Sequence, residues 1–174
     1  MVEPVKNIFS REALMDAINV TQGVWVVERN RVLHTILGSC VSVCLHDAVA
    51  GIGGMNHYVY PPRGESMIGR FGHTPFSADL CLEGLLEAML RAGARHERLR
   101  AKAFGGGQMF EMNDVLAVGK RNTSYARYWL ESQRIPLDLC DFHGCYTRKL
   151  MFHPASGQHL CQHLPTRFEP TLSR

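Results

Sequence analysis

The sequence predicts an α+β fold: a single-domain layered α/β sandwich with mixed and antiparallel sheets, two main helices, and a β-hairpin carrying the candidate active site. Three observations lead there. Runs with period-two alternation or β-branched enrichment outnumber helical runs. The strands come in hairpins, around "DAVAG" and "ASG", rather than alternating with crossover helices. Only two long stretches carry an apolar stripe at helical spacing. At 174 residues the chain can bury one sizeable core, and no repeat, low-complexity tract or long linker divides it. We place the domain at residues 23–163, after an N-terminal extension, 1–22, and before a polar, Pro-containing tail, 164–174.

"SREALMDAIN", residues 10–19, predicts a short helix capped by Ser10, with Leu14 and Ile18 on one face. "GVWVVE" is a β-branched and aromatic run, hence a strand, and "VLHTIL" continues extended into Gly38. Val41, Val43 and Leu45 then alternate with Ser42, Cys44 and His46, a strand with two unlike faces. "DAVAG" turns the chain, "IGGMNHYVYPP" returns it as a strand, and residues 63–76 read as a loop. A helix follows from a Ser77 cap, with Leu82, Leu85, Leu86, Met89 and Leu90 as its stripe and Gly93 closing it. "RLRAKAF" alternates and ends in Gly105-Gly106-Gly107. A second helix runs from Asn122 as cap through Trp129 and Leu130. "IPLDLC" is a short strand, and "CYTRKLMFHP" with "HLCQHL" forms a second hairpin.

Bulk properties exclude several functions. The net charge of +3, from 19 basic and 16 acidic residues, is too small an excess for nucleic acid. Arg91, Arg95, Arg98, Arg100 and Lys102 cluster, but with Glu97 among them and no aromatics they read as a solvated face. No apolar run approaches the ~18 residues of a membrane span, so no membrane insertion is expected. The first sixteen residues lack the apolar core of a signal peptide, which predicts a cytoplasmic chain with its six cysteines reduced. No C-x-x-C occurs, and His143, Cys145 and His153 match no standard ligand spacing, so no metal and no cofactor are expected. The triple glycine lacks G-K-[ST] and does not open a G-x-G-x-x-G helix. It reads as a close backbone approach or a site wall rather than a phosphate loop.

The first hairpin carries the chemistry. With a four-residue loop at 47–50, His46 faces Gly51, Leu45 faces Ile52, and Cys40 lies opposite His57. Cross-strand neighbours share a face with Cβ atoms ~4.5–5.5 Å apart, and a slip of one residue would separate the pair. An imidazole beside a thiol stabilises the thiolate and can return a proton to a leaving group. Small Gly38 and Ser39 let a substrate approach the backbone, and N–H groups in that turn can face a developing oxyanion. The implied reaction is acyl transfer to sulphur followed by hydrolysis. Cys44 reads as a buried filler on the same face.

"TILGSCVSVCLHD", "GIGGMNHYVYP", "GARHERLRAKAFGGGQMF" and "VGKRN" together resemble the CheD family, the chemoreceptor glutamine deamidases of bacterial and archaeal chemotaxis. The likeness runs from about residue 33 to about residue 150, and "LGSCV" followed by "GGMNH" is its most specific part. It implies hydrolysis of glutamine side-chain amides to glutamate, with ammonia release, on the cytoplasmic helices of methyl-accepting chemotaxis receptors. Some members also hydrolyse glutamyl methyl esters. The family's nucleophile falls on Cys40, its histidine on His57 and its threonine on Thr35. The fold implied is that of the toxin-type glutamine deamidases, and the partners implied are the chemoreceptor and, in many bacteria, a CheC-type phosphatase. Where the family commonly has a Gly-Gly pair before its C-terminal Arg-Lys, this chain reads "GCYTRKL", with Cys145 in place of the second glycine. An alternative reading is a non-catalytic chemotaxis adaptor that binds receptor or phosphatase.

Overall fold

The computed structural model describes residues 8–62, 76–108 and 118–165. They form three layers. A five-stranded sheet lies in the middle, two helices cover one of its faces, and a four-stranded sheet covers the other.

The middle sheet has the order β2–β5–β4–β6–β7, from Trp25–Glu28, Ile52–Asn56, Val41–Asp47, Arg100–Gly105 and Leu137–Phe142. Only its last pair, β6 and β7, is parallel. The outer sheet has the order β1–β3–β8–β9, from Ile18–Asn19, Leu33–Leu37, Tyr146–His153 and Gln158–Pro165, with β1 parallel to β3. A short helix α1 (Arg11–Met15) precedes β1, and α2 (Ala78–Arg91) and α3 (Val118–Ser132) are the two main helices. The α+β class and sandwich layering are as the sequence predicts.

Two cores meet across β4. Val41, Val43 and Leu45 point to the helices, against Leu82, Leu85, Met89, Ala126, Trp129 and Leu130. Cys40 and Cys44 point the other way, with Met55 and Phe104, against Leu33, Leu37, Leu150 and Phe152 of the outer sheet. The alternation in "VSVCLHD" therefore does not separate a dry face from a wet one. It separates two buried faces, and Ser42 and Cys44 are both fully buried.

Several elements differ in extent from the sequence reading. Ser10 caps α1 by accepting the Ala13 N–H at 3.3 Å, but the helix ends at Met15. Ile18 belongs instead to β1, where it pairs with Leu33. Helix α2 keeps Leu82, Leu85, Leu86 and Met89 on its buried stripe, whereas Leu90 is 42% exposed. Ser77 stands at its N-cap position without a capping bond from its side chain, and Gly93, at φ +102°, follows its end. Helix α3 starts four residues before Asn122, which is buried inside it rather than capping it. Residues 63–75 of the expected loop and 166–174 of the expected tail lie outside the described residues.

Candidate active site

Cys40 ends the short turn between β3 and β4, and three successive carbonyls hold that turn from behind. Gly38 O accepts the Gly107 N–H at 2.8 Å and Cys40 O accepts the Gly106 N–H at 2.9 Å. Between them, Ser39 O accepts from the Asn122 side-chain amide at 3.1 Å. The triple glycine is thus a close backbone approach. Gly105 has φ +118°, and a Cβ there would come 2.1 Å from Cys40 O.

Asn122 ties both sides of the hairpin mouth together. The same Nδ2 donates to Val59 O at 2.8 Å, and its backbone carbonyl accepts from the Tyr58 hydroxyl at 2.7 Å. The sequence predicts a helix cap at this position. The signal for its real place is weak: a polar residue on the apolar side of an amphipathic helix.

The hairpin register differs from the expected one by two residues. Asp47 pairs with Ile52, Leu45 with Gly54 and Cys44 with Met55. The cause is Asp47. Its carboxylate accepts the N–H groups of Val49 and Ala50, each at 3.0 Å, so it ends the strand and closes the loop from its last rung. Arg98 then binds the same carboxylate at 2.7 Å. A shift of two preserves parity. Val41 bridges Tyr58, so Cys40 stands across from Val59 and His57 across from Ser42. Cys40 and His57 are diagonal neighbours on one face rather than directly opposed. The ladder opens between these pairs because the Asn56 side chain, not its backbone, accepts the Val43 N–H, at 2.8 Å.

His57 is 4% exposed and its ring is held from one side. Nδ1 lies 2.8 Å from Thr35 Oγ1 and 3.3 Å from Val20 O, while Thr35 Oγ1 donates to Val20 O at 2.7 Å. The Thr35 hydroxyl has one proton, and the Val20 carbonyl takes it. Thr35 therefore accepts from His57, which puts the imidazole proton on Nδ1. Nε2 is left as the basic nitrogen, buried and without a hydrogen-bond partner among the described residues.

Cys40 is 7% exposed. Burial raises its thiol above the ordinary value, against smaller pulls from its own backbone N–H and from the Gln22 amide at 3.9 Å. Burial likewise lowers His57, opposed by the Val20 carbonyl. The resting pair is a neutral thiol and a neutral imidazole rather than a standing ion pair. Cys44, wholly buried and pushed up to about 12, is inert filler.

Away from this site, Asp141, Cys161 and His163 hold metal-type ligand atoms within 4.8 Å of one another. Burial raises Asp141, but the Arg148 and His163 contacts outweigh it and hold the carboxyl at about 2, so the anion is already engaged by protein side chains. The outward side of α3 forms an open groove of about 480 Å³ with Pro61 and Pro62, lined by Lys120, Arg121, Tyr125 and Tyr128.

Residues 67–163 match the family model described as CheD chemotactic sensory transduction. That stretch begins after His57, but whole-chain relatives extend the likeness across it. A probable chemoreceptor glutamine deamidase CheD 2 from Dechloromonas aromatica (strain RCB) is 38% identical over 160 residues, covering 90% of this chain and 80% of the relative. The probable chemoreceptor glutamine deamidase CheD of Cupriavidus metallidurans is 35% identical, over 96% of this chain and 76% of its own. Against the one from Burkholderia vietnamiensis the identity is 37%, and the match spans 54% of that longer relative. Among solved structures, the Bacillus licheniformis hypothetical protein YfiH overlaps 74% of this chain and 58% of its own, at a TM-score of 0.44 and 14% identity. With more than half of the chain matched by the family model and relatives of this identity spanning nearly all of it, the protein belongs to the CheD family.

Proposed function

We propose that this protein hydrolyses the side-chain amide of glutamines on the cytoplasmic region of methyl-accepting chemotaxis receptors, and that Cys40, His57 and Thr35 carry the reaction. The observation that carries this reading is the hydrogen-bonded pair Thr35–His57, whose free Nε2 shares a face with the Cys40 thiol. The family's relatives bear the deamidase name.

The cycle follows from the protonation states. As substrate enters, His57 Nε2 takes the Cys40 proton and the thiolate adds to the glutamine Cδ. The new oxyanion turns to the backbone N–H groups of the Gly38–Ser39–Cys40 turn, whose carbonyls are engaged on the other side. His57 gives its proton to the departing ammonia, leaving a thioester. It then deprotonates water, which attacks the thioester carbonyl and releases glutamate and thiol. Thr35 keeps the Nδ1 proton in place throughout, so the ring works at Nε2.

Residues 23–163 carry the catalytic residues in this reading, and β1 with Val20, from within 1–22, packs into the same fold. The protein works in the cytoplasm, where its receptor substrate lies, and a CheC-type phosphatase is its further partner. No helix among the described residues is long and apolar enough to cross a membrane. The test is mass spectrometry of a receptor cytoplasmic fragment before and after incubation. Each converted glutamine gains about one dalton, the amide-to-acid change of this hydrolysis. Cys40→Ala and His57→Ala should abolish the gain, and full activity in Cys40→Ala overturns the assignment.

A further inference from the structure

Gln22 reaches the Cys40 thiol from outside the hairpin. Its amide nitrogen is 3.9 Å from Cys40 Sγ. The segment around it is tied to His57 on both sides: Val20 O accepts from the ring, the Gly23 N–H donates to His57 O at 2.8 Å, and Val24 O accepts the His57 N–H at 3.0 Å. Residue 22 itself is exposed while Cys40 is buried. The side chain thus starts at the surface and brings its amide to a buried sulphur.

We propose that a side-chain rotation which swings Cδ of Gln22 toward Sγ lets Cys40 hydrolyse it, so that the protein converts its own Gln22 to glutamate. This rests on the deamidase reading above. The chemistry is the same and balances in the same way. A C–S bond forms at Cδ, the C–N bond breaks, and ammonia leaves with the His57 proton. Water, deprotonated by His57, then breaks the C–S bond. The net change is Gln plus water to Glu plus ammonia. Holding amide and thiol in one molecule removes the encounter step, so the conversion is first order in protein. Its product sets a carboxylate beside the nucleophile, which disfavours the thiolate. An ageing enzyme would slow itself.

The experiment follows Gln22 in the full-length protein by peptide mass spectrometry. Trypsin releases Glu12–Arg29, which contains Gln22 and Asn19, told apart by fragment ions. Gln133, in Tyr128–Arg134, is the internal control. The deamidated form of the Gln22 peptide should accumulate at the same fractional rate at two protein concentrations, roughly tenfold or more faster than in Cys40→Ala, as expected for an intramolecular reaction. Cys40→Ser, nearly isosteric, should fall with Cys40→Ala and guards against a folding artefact. Gln22 left intact by a preparation that converts receptor glutamines overturns this proposal alone. Equal conversion in Cys40→Ala overturns it too. If neither receptor glutamines nor Gln22 change, the deamidase reading falls and takes this one with it.

Discussion

Thr35 donates its only hydroxyl proton to Val20 O and therefore accepts from His57 Nδ1, at 2.8 Å. That one direction decides which imidazole nitrogen carries the proton and which is left basic. Thr35→Val keeps the shape and deletes the acceptor, leaving Val20 O as the weaker partner at 3.3 Å. The expected result is a fall in kcat of about 10–100-fold with KM little changed, the scale of losing part of an acid–base contribution. Thr35→Ser should recover most of the rate. A Thr35→Val variant as fast as the parent would remove Thr35 from the reaction.

The pH profile of kcat/KM should be wide. The productive state pairs a neutral imidazole with a thiol. Below the His57 pKa the ring is already protonated and cannot take the Cys40 proton, and burial moves that limit to below the ordinary 6.5. The alkaline limit, set by a thiol that burial raises, moves above 9.0. An acid limb centred above 6.5, read from rates on a receptor fragment, would contradict the buried, uncharged pair.

Gln22→Glu installs the product of the proposed self-conversion. A carboxylate near Cys40 Sγ should raise the thiol further and lower kcat, while Gln22→Ala should not share the alkaline shift. Thiol titration with an alkylating agent across pH separates the two variants.

Asp47 holds the hairpin loop and Arg98 at once, and those hydrogen bonds and the charge keep its carboxyl well below the ordinary 3.8. The sign follows: its contribution is complete above pH 3.8 and is lost as pH falls toward the depressed folded value. Asp47→Asn should lower stability by roughly 1–3 kcal/mol at neutral pH. It should also flatten the loss of thermal stability expected of the parent as pH falls below 3.8, read from melts across that range.

Much of this was legible in the sequence because a strand has period two. Parity alone put Cys40 and His57 on one face, and parity survived a register error of two residues. The exact rung was not legible, because Asp47 reads equally as a turn residue or as the last residue of a strand that closes its own turn. Thr35 came from resemblance, and its hydrogen bond depends on Val20, a residue with no sequence signal beyond being apolar. Asn122 and Gln22 were missed for a common reason. Each reaches the hairpin from a segment distant in sequence, one inside a helix and one before β2, and local periodicity carries no information about such meetings.

The carbonyls of Gly38, Ser39 and Cys40 are held by Gly107, Asn122 and Gly106. That bracing decides when the enzyme comes alive. A chain growing from the ribosome has made Thr35, Cys40 and His57 before residue 60, yet the groups that brace the nucleophile's turn arrive between 106 and 122. Until then the thiol sits on an unsupported loop. In the proposed mechanism, catalytic competence waits on the docking of β6 and α3, and a truncated or half-folded chain would carry Cys40, His57 and Thr35 without the braced turn.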